Sequence, residues 1–288
     1  MANLFLTQIM IVDWANLRKR LVNLFNDTRV KAEISKNGRI PTQILNYNFG
    51  DHVFNVLLSF FGDTNVEGFL GRNVRILIYG AWDLDSRWKR KIISYLEGES
   101  IGVSFSRKLI EDLWRKGFLY ERGVRSLVSS YVGKDIEPDL RERQLIHYLE
   151  NYKPFVTIRR GIISLEKLEV EKLGLEIKET DRQPDEIFLV KQKRVDMLMG
   201  IDIASYSFKL NPVEFLVLCN DQDILPALKV AKRNGAVISF CFFEEETANE
   251  ILLSHADRVR LLKLTDLNQG KGKMQIMNGK VLNSRSKF

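Results

Sequence analysis

Aspartates follow two apolar runs of this sequence, in positions from which their carboxylates could bind a divalent metal ion. Asp13 closes the run IMIVD, and two more carboxylates, Asp221 and Asp223, follow the run FLVLC. Asp196 opens a segment with helical periodicity. Converging carboxylates repel one another unless a cation neutralises them, and hard oxygen ligands of this kind suit Mg²⁺ or Mn²⁺. The pattern therefore predicts a metal site at these four aspartates.

Each aspartate also has a simpler structural interpretation. Asp221 and Asp223 could cap the helix that follows them, and Asp13 could be a turn residue before the helix that starts WANLRKRL. Asp202 lies six residues after Asp196, roughly 1.7 helical turns, so the two side chains point to different sides of one helix. We therefore expect Asp202 to be a solvated or helix-packing charge.

The elements that must position these residues follow from the hydrophobic pattern. Short apolar runs with the length of buried strands occur at 7–12, 74–79, 155–160, 214–219, 236–243 and 259–264. Helical patterns occur at 42–61, 86–97, 105–116, 139–150, 194–208 and 224–234. This alternation predicts a three-layer α/β domain with a central, mainly parallel sheet, whose ligands bind at the carboxyl ends of the strands.

Composition limits the class of protein. The 288 residues are 45% hydrophobic and 28% charged, which predicts a folded chain rather than wholesale disorder. The formal charge of +7 and the pI near 9.3 favour a polyanionic partner. Cys219 and Cys241 lie in apolar runs without metal-ligand spacing, so we expect buried thiols in a reducing compartment.

The two ends of the sequence bear on its localisation. The start, MANLFLTQIMIVDW, has no charged n-region, and its apolar run stops at Asp13, which is too short for a membrane span. We therefore expect a cytoplasmic protein without membrane association. Residues 265–288 are polar, basic and glycine-bearing, and we expect a mobile tail outside the core.

Several segments, taken in order, resemble the motifs of one family. Asp13-Trp14-Ala15-Asn16 is similar to an Asp-Gly-x-Asn turn, and Lys193-Arg194-Val195-Asp196 is similar to Lys-Gly-Val-Asp. The run 219–226, CNDQDILP, resembles Ser-Gly-Asp-x-Asp-Phe-x-Pro, and Ala256-Asp257 resembles a later Ala-Asp pair. Together these segments resemble the NYN-domain family of the PIN-like ribonuclease superfamily, particularly its bacterial members.

The resemblance implies a metal-dependent nuclease over residues 5–264, with 86–190 as a divergent or inserted, mainly helical segment. It implies hydrolysis of phosphodiester bonds in RNA, single-stranded or structured, with DNA as a second possible substrate. Asp13 and Asp221 would bind Mg²⁺ or Mn²⁺ directly. Asp196 and Asp223 would bind it through water or orient the nucleophile, and Asn16 would fix a carboxylate or contact phosphate.

The sequence departs from the family pattern at three places, and these departures concern the substrate range. Trp14 and Arg194 stand where the family has small residues, and Cys219-Asn220 replaces Ser-Gly. Trp14 could narrow the site or offer a stacking surface to a base, and Asn220 could adopt a glycine-like backbone conformation.

Three further interpretations remain open. A catalytically silent RNA-binding or scaffold module could share the fold. The segment Asp83-Leu84-Asp85-Ser86 after an apolar run weakly suggests a haloacid-dehalogenase-like phosphatase. Finally, 86–125 carries ten basic and five acidic residues with interleaved aromatics. That segment is either an arm that holds nucleic acid or a set of amphipathic helices whose aromatics form a core.

Overall fold

The computed structural model describes residues 6–26, 50–62, 73–133, 141–167, 188–244, 249–263 and 274–278. The strands in these ranges are β1 (Thr7–Asp13), β2 (Val74–Leu84), β3 (Val156–Lys167), β4 (Phe188–Lys193), β5 (Val213–Leu218), β6 (Val237–Phe243), β7 (Arg258–Leu262) and β8 (Met274–Asn278). The α-helices are α1 (Trp14–Asn26), α2 (Gly50–Ser59), α3 (Ser86–Leu96), α4 (Arg107–Arg115), α5 (Arg122–Val132), α6 (Arg141–Tyr152), α7 (Val195–Lys209), α8 (Leu225–Arg233) and α9 (Glu250–Ser254). A 3-10 helix, Gln222–Ile224, leads into α8.

The described strands form one sheet in the order β4-β3-β2-β1-β5-β6-β7-β8. β1 is parallel to both β2 and β5, and the pairs β5–β6 and β6–β7 are also parallel. Antiparallel pairing occurs at β3–β4 and β7–β8, towards the two edges. The prediction of an α/β fold with a mainly parallel sheet is confirmed.

Helices contact both faces of this sheet. Asp13 and Tyr79 are register partners, so their side chains leave the same face, and the Tyr79 hydroxyl donates to Asp202 of α7. The successive register pairs place Arg260 of β7 on the opposite face, where it donates to the carbonyl of Phe60 just after α2. Because both faces are covered, the strands β1 and β5 are buried along nearly their whole length.

The chain divides into two compact units. The first comprises 1–80, 145–159 and 195–288, and the second comprises 81–144 and 160–194. β2 and β3 run through both units. The second unit contains α3, α4 and α5 and has an aromatic centre in which Phe105 packs on Trp88 and Phe188. The segment 86–190 that the sequence marks as divergent overlaps this unit, but residues 145–159 of that segment belong to the first unit.

Two strands differ from the expectations. β4 lies where no strand is predicted, because all six of its residues are only half-buried or exposed at a sheet edge and its apolar run is short. β8 lies inside the segment 265–288, which we expected to be a tail outside the core, yet Met274–Asn278 pairs with β7. The remainder of that tail, and residues 42–49 of the first predicted helix, lie outside the described residues.

Both cysteines are buried free thiols, as predicted. Among the described residues, none of the helices has the length and apolar character that crossing a membrane requires.

Candidate functional site

The candidate site lies at the carboxyl ends of β1 and β5, where the chain changes direction across the sheet. From β1 the chain first adds β2 on one side, and later β5 on the other side. Asp13 is the last residue of β1, and Asp221 follows the end of β5 by three residues. In parallel sheets, the crevice at such a reversal point is the usual place for a ligand.

Asp13 is a buried carboxylate held at the start of α1. Its side chain is 8% exposed, Oδ1 accepts a hydrogen bond from the Asn16 N–H at 3.2 Å, and Oδ2 lies 3.8 Å from the Cys219 thiol. Burial raises the pKa of Asp13, and the charges of Asp196 and Asp221 raise it further, against the opposing effect of backbone N–H groups. The interpretation of Asp13 as a turn residue therefore accounts for its Oδ1, which accepts the Asn16 N–H. It does not explain why the carboxylate is buried close to two like charges.

Asp221 and Asp223 lie in the turn between β5 and the 3-10 helix. Asp221 Oδ1 accepts from the Asp223 N–H at 3.0 Å, so Asp221 is the N-cap of the 3-10 helix. Both side chains are exposed. In the described part of the chain, the Asp223 carboxylate forms no hydrogen bond or ion pair. The capping interpretation thus holds for Asp221 and fails for Asp223.

Asp196 reaches the same region from the first turn of α7. Partial burial raises its pKa, and the charges of Asp221 and Asp223 raise it further. Arg194, two residues earlier, has φ of 73°, a left-handed conformation. Glycine would adopt this backbone conformation without strain, whereas this chain carries arginine at the position.

Asn16 contributes an acceptor beside Asp13. Its backbone N–H is bonded to Asp13, whereas its side-chain Oδ1 is buried and has no hydrogen-bond partner among the described residues. A buried acceptor without a donor is costly, and a water molecule or a cation would satisfy it.

The structure thus brings all five predicted site residues to one end of the sheet. They are Asp13, Asn16, Asp196, Asp221 and Asp223. As the side chains stand, no group of three or more His, Cys, Asp or Glu residues in the described ranges is placed to hold a metal ion. The donors nevertheless fit a hard cation, because they are oxygens, they repel one another, and one of them lacks a partner.

Asp202 is bound elsewhere. It forms an ion pair with Arg159, with Nε 2.8 Å from Oδ2, and accepts from the Tyr79 hydroxyl at 2.9 Å. Its interpretation as a helix-packing charge is correct.

Cys219, which the sequence predicted only as a buried thiol, also contacts two of the candidate site residues. Its Sγ accepts from the Asp221 N–H at 3.3 Å and lies near Asp13 Oδ2. Burial, and next the charge of Asp13, raise the pKa of this thiol, which therefore keeps its proton and can donate. The position of Cys219 directly after the apolar run was the only indication of this contact in the sequence. Leu218 pairs with Val12, so the residues that follow them, Cys219 and Asp13, lie side by side.

Two expectations about the departures from the family pattern are wrong. Trp14 is only 2% exposed, so it packs in the core and offers no open face to a base. Asn220 is not among the described non-glycine residues with positive φ, so this turn does not use a glycine-like conformation at that position.

The remaining sequence signals have structural partners. Asp85 caps α3 by accepting from the Arg87 N–H at 2.8 Å, and Asp83 pairs with Arg143 at 3.0 Å, which accounts for both carboxylates of the phosphatase interpretation. In the basic segment, Trp88, Phe105 and Trp114 are at most 8% exposed and form a core, whereas Tyr120 is 47% exposed.

Comparisons of the chain with family models, with curated proteins and with solved structures give no significant match.

Proposed function

We propose that the protein is a metal-dependent nuclease that hydrolyses phosphodiester bonds, with RNA as its substrate. One observation carries the proposal: carboxylates from β1, the β5 turn and α7 lie at the reversal point of the sheet, where burial and, next, the like charges of neighbouring aspartates raise the pKa of Asp13 and Asp196. Helix caps do not require such convergence, whereas a cation-binding site does. The order of motifs that resembles the NYN-domain family supports the choice of RNA.

In this proposal each site residue has a role that follows from its position. Asp13 and Asp221 would hold Mg²⁺ or Mn²⁺, and Asp196 and Asp223 would bind it through water or orient the nucleophile. Asn16 offers its buried Oδ1 to the coordination shell of this ion or to a phosphate oxygen. The Cys219 thiol and the backbone N–H of Asn16 orient Asp13 from two sides. A bound cation of this kind orients water and stabilises negative charge on the scissile phosphate.

The alternative is a catalytically silent RNA-binding or scaffold module of the same fold. The hydrogen bonds by which Asp13 and Asp221 stabilise the starts of helices favour it, because these bonds give both residues a structural task without metal. A cleavage assay separates the two functions.

The test is the incubation of labelled single-stranded RNA and DNA with the full chain in Mn²⁺ or in EDTA. We expect cleavage of RNA in Mn²⁺ only. Asp13→Asn and Asp221→Asn should each reduce the rate by on the order of 100-fold or more, since even indirect supports of a metal site cost 10–100-fold. Binding of RNA in EDTA should change little, because phosphate contacts come mainly from Lys and Arg.

Asp85→Asn is the matched control. Asp85 is also an N-cap aspartate but belongs to the second unit, and asparagine caps helices about as well as aspartate. Its cleavage rate should equal that of the wild type. Equal rates in all three variants, or cleavage that persists in EDTA, would exclude the proposed site.

A further inference from the structure

Helices α3 and α5 of the second unit carry cations and no carboxylates. Their sequences, SRWKRKIISYL and RGVRSLVSSYV, contain six Lys and Arg residues and no Asp or Glu. Each helix buries its apolar residues, for example Ile92 in α3 and Val128 in α5. The cations lie on the outer sides. We call the set Arg87, Arg90, Lys91, Arg122 and Arg125 the α3–α5 basic surface.

The two helices are neighbours and run in the same direction. Near their beginnings, Lys89 of α3 forms an ion pair with Glu121, the N-cap of α5. Near their ends, the hydroxyls of Tyr95 and Tyr131 are 3.3 Å apart. The cations of the two helices therefore belong to one side-by-side pair.

Most of this charge is not neutralised within the protein. Arg90, Arg122 and Arg125 are exposed and form no ion pair within the described residues. Arg87 and Lys91 lie over the ring of Trp88, at 5.5 and 5.0 Å from its centroid. Contact with the ring orders these two side chains but leaves their positive charge available.

Helix α4 shows what an ordinary solvated face looks like in the same unit. Its exposed side alternates Lys108 and Arg115 with Glu111 and Asp112, and Arg107 pairs with Glu111 at 3.4 Å. A surface that only needs solubility mixes both signs in this way. The absence of acids from α3 and α5 therefore calls for a polyanionic partner.

We propose that the α3–α5 basic surface binds the phosphate backbone of the RNA substrate. The proposal rests on the proposed function for the choice of RNA. Arg122 and Arg125 are one turn apart on α5, as are Arg87 and Arg90 on α3, so each pair can contact successive phosphates of one strand. The exposed hydroxyl of Ser126, on the same helix as Arg122 and Arg125, adds a neutral donor of the kind that contacts phosphate.

The test measures binding without cleavage. Fluorescein-labelled oligo(U) is titrated with the full chain in EDTA, and the anisotropy gives Kd over a series of KCl concentrations. In single strands each phosphate contact contributes about 0.7 to the slope of log K against log salt. The double variant Arg122→Gln/Arg125→Gln should therefore bind more weakly, with a slope that is shallower by about 1.4.

The matched control is Lys108→Gln/Arg115→Gln on α4, which removes the same charge from exposed positions of the mixed-sign face. Its slope should equal that of the wild type. Thermal unfolding of both double variants would check that they are folded. Equal losses in the two double variants, or no change in either, would overturn the proposal. So would binding to phosphatidylserine vesicles that is lost in Arg122→Gln/Arg125→Gln while binding to oligo(U) is retained.

This outcome is separate from that of the cleavage assay. If RNA is bound through α3 and α5 but is never cleaved, the proposed nuclease activity fails and this inference stands. If RNA is cleaved at the aspartates but the salt slope is unchanged in the α5 variant, the inference fails and the nuclease stands.

Discussion

At the scale of single residues, α7 carries two aspartates with opposite surroundings. Asp196, in the first turn, faces the like charges of Asp221 and Asp223. Asp202, almost two turns later, faces the guanidinium of Arg159 and the hydroxyl of Tyr79. On the same helix, Asp196 is therefore repelled by its neighbours, whereas Asp202 is stabilised by an ion pair and a hydrogen bond.

This contrast gives a paired prediction. Asp202→Asn removes a partly buried ion pair and should destabilise the fold by about 1.5–3 kcal/mol, because hydrogen bonds to charged groups contribute about that much. Asp196→Asn removes repulsion and should not destabilise the protein. Urea unfolding in EDTA measures both effects.

The cleavage rates should follow the reverse order. Asp196→Asn should lose cleavage in Mn²⁺, whereas folded Asp202→Asn should keep it. A loss of cleavage in Asp202→Asn at temperatures where it is fully folded would mean that Asp202 belongs to the site.

The sequence was sufficient to place Asp13, Asp221 and Asp223 at the ends of strands, because carboxylates that follow apolar runs mark those ends directly. Asn16 was predicted as a site residue only through the resemblance of its segment to a family motif. The sequence was not sufficient for Cys219 or Trp14. Their roles depend on which side chains become neighbours across β1 and β5, and on how deeply α1 packs, and both are properties of tertiary contacts. Asp202 was assigned correctly from helical periodicity alone.

At the scale of elements, a buried polar network joins four strands on the face opposite Asp13. Glu214 of β5 is fully buried and accepts from Gln8 of β1, Ser239 of β6 and Arg260 of β7, at 2.7, 2.5 and 2.7 Å. Burial would raise the pKa of Glu214, but Arg260 and the three hydrogen bonds hold it below its ordinary value of 4.5. The carboxylate is therefore charged in the folded protein.

Glu214→Gln should destabilise the protein by about 3 kcal/mol, because it leaves the buried Arg260 without its counter-charge. Since the folded pKa of Glu214 is lowered, its stabilisation is present above pH 4.5 and is lost as the pH falls through the folded value. The difference in free energy of unfolding between the wild type and Glu214→Gln should thus become smaller at acidic pH. Urea unfolding at a series of pH values measures it.

Arg258→Gln is the control, since Arg258 is an exposed partner of Glu214 at 3.5 Å. It should cost less than about 1 kcal/mol. A Glu214→Gln variant that is as stable as Arg258→Gln would show that the network contributes little to the fold.

Elements were predictable where burial is continuous. The runs that became β1, β5 and β6 are apolar along their length, so their pattern alone indicates buried strands. β4 and β8 could not be recognised, because edge strands keep one side in water and depend on pairing with a neighbour. The division into two units was not predicted, because the sequence led us to expect one domain over residues 5–264.

At the scale of the whole molecule, the candidate site should lower the free energy of unfolding of the metal-free protein, and a bound metal ion should raise it. Without metal, the burial of Asp13 and Asp196 and the like charges of the aspartates around them oppose the folded state at neutral pH, as the raised pKa values of these two groups indicate. A ligand that binds only the folded chain adds RT ln(1 + [L]/Kd) to its stability, which is about 2.7 kcal/mol at one hundred times Kd. Stability in EDTA and in metal therefore reports on the site independently of cleavage.

The last prediction compares wild type and Asp221→Asn by thermal unfolding in EDTA and in saturating Mn²⁺. In EDTA the variant should melt at the same temperature as the wild type or higher, because it loses repulsion while asparagine keeps the cap on the 3-10 helix. In Mn²⁺ the melting temperature of the wild type should rise by several degrees and that of the variant by much less. The difference between the two melting temperatures should therefore narrow, or their order should invert. Asp85→Asn, a cap outside the cluster, should gain as much as the wild type. If Mn²⁺ shifts all three proteins equally, or none of them, Asp221 supplies no metal ligand and its carboxylate is a helix cap alone.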